Sequence, residues 1–200
     1  MERLAVVLAG GASSRLGGGD KPLLDLGGLT LLDAVIDRLR PQADRIALSA
    51  NGDPARFARF GLPVIGDGRE ALDGPLAGIL AAMRWAAALG AQTVLTVPGD
   101  APFLPMDLRL RLEAGAPDTG TILLASSTGR IHPVAALWPV ALAGDLGDFL
   151  DGGGRKVMAF VEANPHATVD FGAAPPDPFF NVNTPDDLAE ARRLLAEGRG

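Results

Sequence analysis

The chain has 200 residues, enough for one domain with a substantial core, and its 48% hydrophobic and 21% charged content sets it apart from disordered chains. A net charge of −6 argues against a general nucleic-acid binder, and the absence of cysteine excludes disulfides and thiolate metal sites. His132 and His166 lie far apart without ligand spacing, so a zinc site is not expected. No apolar stretch reaches the length of a membrane span, and Glu2 precedes a first apolar run too short for a signal peptide. A cytoplasmic protein with no membrane partner is the simplest expectation.

Leu4 to Ala9 reads as a buried first strand, followed by the glycine-rich stretch Gly10 to Lys21. Leu32, Val35, Ile36 and Leu39 fall at helical spacing, and Pro41 ends that helix. Asp44 to Ala50 predicts a second strand, closed by the turn residues Asn51-Gly52-Asp53-Pro54; Leu62 to Gly66 predicts a third, with Asp67 at its exit. Gly74-Pro75 opens a helix whose apolar stripe is Leu76, Ile79, Leu80, Met83 and Ala87, ending near Gly90. Gln92 to Val97 is β-branched and predicts a central strand, followed by Pro98-Gly99-Asp100-Ala101-Pro102 and a helix carrying Leu108 and Leu112.

Thr121 to Ala125 and Val134 to Trp138 predict a later strand pair separated by Ser126 to Pro133, with Arg130 to Val134 as an antiparallel edge or subdomain. Val140 to Leu150 and Lys156 to Ala163 predict helices divided by Gly152-Gly153-Gly154, and Thr168 to Phe171 a short strand. The last helix has Thr184 as N-cap, Pro185 at its first position and Asp187 three residues after the cap. Alternating strands and helices argue for an α/β fold of βαβ units around a mostly parallel sheet, in one domain.

In such a sheet ligands bind in a crevice along the carboxyl edge. The Gly10 to Lys21 loop, Asn51, Asp67 and Asp100 each follow a predicted strand and so share that address. Glycines let backbone N–H groups approach oxygen anions, while Lys21 offers a point charge and Arg15 a planar fork for phosphates. The loop satisfies neither the P-loop pattern nor the dinucleotide fingerprint, because Lys21 lies between Asp20 and Pro22 and Gly10-Gly11-Ala12 breaks the glycine spacing. A carboxylate at Asp100 suits Mg²⁺, which takes one or two carboxylates plus phosphates and water. The residues alone fit equally a turn or N-cap aspartate ahead of Pro102. Asn181 and Asn183 stand two apart on an extended segment, which places both on one side.

The pattern Leu8-Ala9-Gly10-Gly11-Ala12-Ser13-Ser14-Arg15-Leu16, continued by Asp20-Lys21-Pro22-Leu23, resembles the nucleotide-binding signature of the molybdenum cofactor guanylyltransferase family. Gly74-Pro75-Leu76-Ala77-Gly78, Pro98 to Pro102, His132 to Trp138, Gly154 to Met158 and Phe180 to Pro185 resemble that family's later motifs in the same order. Leu16 stands where Met is more usual, and Gly17-Gly18-Gly19 carries an extra glycine. The resemblance implies a Rossmann-like three-layer fold of nucleotidyltransferase type. It implies a nucleotide-binding half of about residues 1–105 and a cofactor-substrate half of about residues 106–200.

It further implies transfer of GMP from GTP to the molybdenum-molybdopterin cofactor, with Mg²⁺ as cofactor and Mn²⁺ as a substitute. Arg15, Lys21 and Asp100 would be catalytic, with Asp100 the metal ligand. Leu8, Ala9, Gly10, Gly11, Lys21, Asn51, Asp67, Gly74, Pro75, Gly78 and Asp100 would bind the nucleotide. Arg155, Lys156, Asn181 and Asn183 would bind the pterin substrate, with a metal role for Asn183 as the alternative. Transient contacts with molybdopterin-inserting enzymes or recipient apoenzymes are also implied. Three other readings stand beside this one: CTP in place of GTP, a sugar-phosphate nucleotidyltransferase, and a non-catalytic nucleotide-binding protein that hands on the cofactor.

Overall fold

The computed structural model describes residues 2–10, 20–66, 74–173 and 175–197. The strands are β1 (Leu4–Leu8), β2 (Arg45–Ser49), β3 (Val64–Ile65), β4 (Thr93–Pro98), β5 (Ile122–Ser127), β6 (Arg130–Pro139) and β7 (His166–Asp170). The helices are α1 (Leu31–Leu39), α2 (Pro75–Ala88), α3 (Leu108–Ala114), α4 (Ala143–Asp151), α5 (Val157–Glu162) and α6 (Pro185–Glu197). One sheet of order β3-β2-β1-β4-β6-β5-β7 holds all seven strands, and only β6 runs against its neighbours.

Both sheet faces are covered, which is why β1 reads as an unbroken apolar run. Successive side chains of β1 go to opposite faces. Ala5 and Val7 join Leu32, Val35, Leu39, Leu108 and Leu112 in the core beneath α1 and α3. Leu4 and Val6 join Leu76, Leu80, Met83, Leu146 and Phe160 in the core beneath α2, α4 and α5. A third cluster packs Leu31, Phe103, Val182 and Ala191, so α6 closes against the start of α1.

Local signals set the element ends. Thr30 and Asp33 form a reciprocal capping box at α1, and Thr184 and Asp187 do the same at α6. Three expectations need correction. The turn read at Asn51 to Pro54 continues as a 3-10 segment, Pro54–Phe60, that buries Phe57. The later strand pair is a tight hairpin and not two strands separated by eight residues: β5 passes to β6 through Thr128 (φ 51°) and Gly129 (φ 76°). Both positive φ values match a two-residue hairpin turn. β6 is also interior, between β4 and β5, and not the edge or subdomain expected. Pro133 cannot donate to a ladder, which disfavours an interior position. The structure accommodates it in an irregularity: Leu124 faces Ala136, and the next residue, Ala125, faces His132.

A buried relay fixes this irregular stretch to β4. Trp138 Nε1 donates to Thr96 Oγ1 over 2.8 Å, and the Thr96 hydroxyl donates to the Val134 carbonyl over 2.7 Å. Thr96→Val keeps the shape and leaves a buried N–H and a buried carbonyl unpaired. It is expected to cost about 2 kcal/mol or more, read as a lower urea midpoint at unchanged slope.

Candidate active site

The carboxyl ends of β1, β2 and β4 and the N-terminus of α2 enclose a cleft of about 650 Å³. Leu8, Ala9, Gly10, Lys21, Asn51, Gly74, Pro75, Gly78 and Asp100 all line it. These are predicted nucleotide-site residues, brought together from five separate stretches of chain. Gly11, Arg15 and Asp67, also predicted, lie outside the described residues.

The wall made by β1 differs from the expected anion nest at two positions. The Ala9 and Gly10 N–H groups both donate to the Ser49 carbonyl, over 2.9 and 3.1 Å. They tie the loop to β2 and are not left to a ligand. Gly78 is required by packing as α2 crosses the sheet edge. A Cβ there would stand 2.9 Å from Ser49 Oγ and 3.2 Å from a Leu8 methyl carbon. The N-cap of α2, Gly74, contributes no capping side chain. The positive end of this 14-residue helix therefore opens toward the cleft, which favours an anion.

Lys21, Asp100 and Asn183 form the polar centre. Lys21 Nζ is ion-paired with Asp100 Oδ2 and donates to Asn183 Oδ1 over 2.7 Å. The Lys21 and Asp100 side chains are only 15% and 20% exposed, so this charge pair is largely out of bulk water. Asn183 reaches it because Val182 N–H donates to the Asp100 carbonyl over 3.0 Å, and because the Asp187 carboxylate accepts from Asn183 N–H over 2.8 Å. Desolvation alone would raise the Asp187 pKa, but the N–H groups of Asn183 and Thr184 and the Thr184 hydroxyl together hold it below the usual range.

None of the predicted pterin residues is among those lining the cleft; Asn183 reaches its polar centre through Lys21, and the other three do not. Asn181 has its Oδ1 buried and without a hydrogen-bond partner among the described residues. Arg155 and Lys156 are exposed in the turn between α4 and α5, where Arg155 donates to the Leu150 and Gly154 carbonyls. Topology still places that turn on the cleft's side of the sheet. α4 follows the end of β6, at the far edge, and α5 leads back to the start of β7.

A family profile described as MobA-like NTP transferase domain matches residues 5–168. This chain belongs to the MobA-like NTP transferase family. A molybdenum cofactor guanylyltransferase of Mesorhizobium japonicum is 53% identical over 196 residues, covering 95% of this chain and 94% of that protein. The solved molybdopterin-guanine dinucleotide biosynthesis protein A of Archaeoglobus fulgidus has the same fold: TM-score 0.76, 23% identity, 97% and 99% of the two chains covered. A Mycobacterium tuberculosis protein solved in complex with manganese also shares it, with TM-score 0.66, 20% identity and coverage of 96% and 99%.

As a MobA-like NTP transferase the chain is a nucleotidyltransferase. Among the described residues, no group of three or more His, Cys, Asp or Glu could hold a metal through protein ligands alone. Asp100 and Asn183 nevertheless aim one oxygen each at a single cationic centre, now Lys21 Nζ. One carboxylate plus one amide oxygen, completed by phosphates and water, is a donor set that fits a hard divalent cation.

Sequence reasoning missed Arg56. It lines the cleft, lies 2.9 Å from Asp20 Oδ2 through Nε, and donates to the carbonyls of Asn51 and Asp53 over 2.5 and 3.1 Å. It thereby joins the exit of β2 to the residue before Lys21. The 3-10 segment that aims it has no hydrophobic period to reveal it. Ser49 and Val134 also line the cleft, one at the end of β2 and one in the irregular stretch of β6. Among the described residues, no helix is long and apolar enough to cross a membrane.

Proposed function

We infer that this chain transfers GMP from GTP to the molybdenum-molybdopterin cofactor, yielding the molybdopterin guanine dinucleotide cofactor and pyrophosphate. The observation that carries the reading is the junction of Lys21 and Asp100, which line the cleft, with Asn183, within a chain 53% identical to a guanylyltransferase of this cofactor.

An oxygen of the pterin's terminal phosphate attacks the α-phosphorus of GTP. The bond from that phosphorus to the bridging oxygen breaks, and its electron pair leaves with pyrophosphate. A phosphate nucleophile is already anionic near neutral pH, so no general base is required. Catalysis is positioning and charge neutralisation. Lys21 and Arg15 take the phosphate charge, and the N-terminus of α2 adds its dipole. Asp100 and Asn183 would hold a divalent cation such as Mg²⁺, which would supply charge neutralisation for the triphosphate. Gly74, Pro75 and Gly78 border the guanine, while Asn51 and Asp67 receive the nucleoside's polar groups. Arg155, Lys156 and Asn181 serve the pterin side.

The test is pyrophosphate release from GTP, CTP, ATP and UTP, each with Mg²⁺ and with or without molybdenum-molybdopterin. Release from GTP alone, and only with the pterin present, is expected. Equal or better use of CTP would overturn the guanine assignment, and GTP binding without turnover would overturn the enzyme reading.

A further inference from the structure

Ser127, at the end of β5, is fully buried, and its hydroxyl meets two groups. It lies 2.8 Å from His132 Nε2 and donates to Asp177 Oδ1 over 2.7 Å. A hydroxyl has one proton to give. With that proton committed to the carboxylate, Ser127 accepts from His132, so the imidazole carries its proton on Nε2. Burial lowers the His132 pKa below its ordinary value, against the pull of Asp177 and with a further lowering by Arg130.

The three residue types are those of a hydrolytic triad, but the wiring is not. In a triad the imidazole stands between nucleophile and acid and takes the hydroxyl proton. Here the serine stands in the middle and the imidazole has no free lone pair directed at it. The cluster is therefore an anchor for Asp177. The same Asp177 Oδ1 accepts from Phe179 N–H over 3.0 Å, and the Asp177 carbonyl accepts from Phe180 N–H over 3.0 Å. The His132 ring stacks on Phe179 with centroids 4.5 Å apart. The chain then runs without a strand ladder to Val182, bonded to the Asp100 carbonyl, and to Asn183, bonded to Lys21.

We propose that Ser127, His132 and Asp177 are positioning residues for nucleotidyl transfer: they clamp the head of the 177–183 segment and so hold Asn183 in register with Lys21 and Asp100. Phe179 and Val182 also bury that segment, but apolar contact is non-directional. Directional bonds at both ends are what fix an amide oxygen to the tolerance a reacting site needs. His132 lies in β6 two residues before Val134, which lines the cleft, so the clamp also ties the segment to the cleft wall.

The proposal rests on the transferase reading above, and the test separates the two. Wild type, Asp177→Ala, Asp177→Asn and Ser127→Ala are compared for pyrophosphate release, for GTP affinity by calorimetry, for Mn²⁺ affinity without nucleotide, and for thermal midpoint. Asp177→Ala and Ser127→Ala are expected to lower kcat about tenfold, because sub-ångström misplacement of reacting groups is costly. Both should weaken Mn²⁺ binding about threefold and leave GTP affinity within about twofold, since the clamp acts through the 177–183 segment on the position of Asn183 and not on the β1–β2 wall. Asp177→Asn keeps the acceptor for both Ser127 and Phe179 and should restore kcat and Mn²⁺ affinity. Unchanged kcat and Mn²⁺ affinity in Asp177→Ala, or no rescue by Asp177→Asn, overturns the clamp. If Asp177→Ala fails to fold, the near-isosteric Ser127→Ala decides by the same two readouts. An inactive wild type that binds GTP instead overturns the transferase reading.

Discussion

Asp100→Ala is expected to lower GTP-dependent pyrophosphate release by about 10²-fold or more, the loss typical when a preorganised charge at a reacting centre is removed. The fold should survive. Asp100 holds the C-terminal segment through its backbone carbonyl, which accepts from Val182 N–H, and that bond does not need the side chain. What disappears is the carboxylate paired with Lys21. Asp20, the other carboxylate lining the cleft among the described residues, lies 2.9 Å from Arg56 and is committed there. Asp100→Asn is the sharper variant, because it keeps shape and an acceptor oxygen but removes the charge. Steady-state release at saturating GTP and stepped Mg²⁺ should show a comparable loss of kcat in both variants, with thermal midpoints close to wild type. Activity within a few-fold of wild type in Asp100→Asn would mean that a neutral acceptor suffices and that Asp100 is not the metal's carboxylate.

Much of this site is legible in the chain because parallel sheets impose an address. Buried apolar runs mark β1, β2 and β4, and whatever follows them must emerge along one edge. Asn51 and Asp100 could each have been mere turn residues; their common strand-exit position is what made them a site, and both line the cleft. The C-terminal half reads less well for a physical reason. Residues 177–183 have no period of their own, being held by a side-chain bond to distant Ser127 and a backbone bond to distant Asp100. Arg56 escapes for the same reason, since a 3-10 segment carries no amphipathic signature. The β5–β6 hairpin is hard to read because Thr128-Gly129 is an unusual pair for a turn with two positive φ values, and because Pro133 cannot donate to an interior ladder. In the opposite sense, Gly10 looked like a ligand-facing amide and proves to be a strand-to-strand tie.

Lys21→Ala gives the second large effect, and it should split two readouts in opposite directions. The Lys21 ammonium stands between Asp100 and Asn183, where a divalent cation would find the same two oxygens. In the ligand-free protein it competes with the metal, because a cation held beside another cation is disfavoured in a poorly solvated site. In the working enzyme the same charge is needed on the phosphates. Removing it should lower kcat/KM for GTP about 10²-fold while strengthening nucleotide-free Mn²⁺ binding about threefold or more. Lys21→Arg should not restore activity, since a planar fork cannot replace a compact ammonium between two oxygens. Mn²⁺ affinity measured by electron paramagnetic resonance on wild type, Lys21→Ala and Lys21→Ala/Asp100→Asn separates the contributions: the gain in the single variant should vanish in the double, because the carboxylate that profits from losing its lysine is gone. If Lys21→Ala instead weakens Mn²⁺ binding, the ammonium is not at the cation's position, and Asp100 and Asn183 meet the metal from another side.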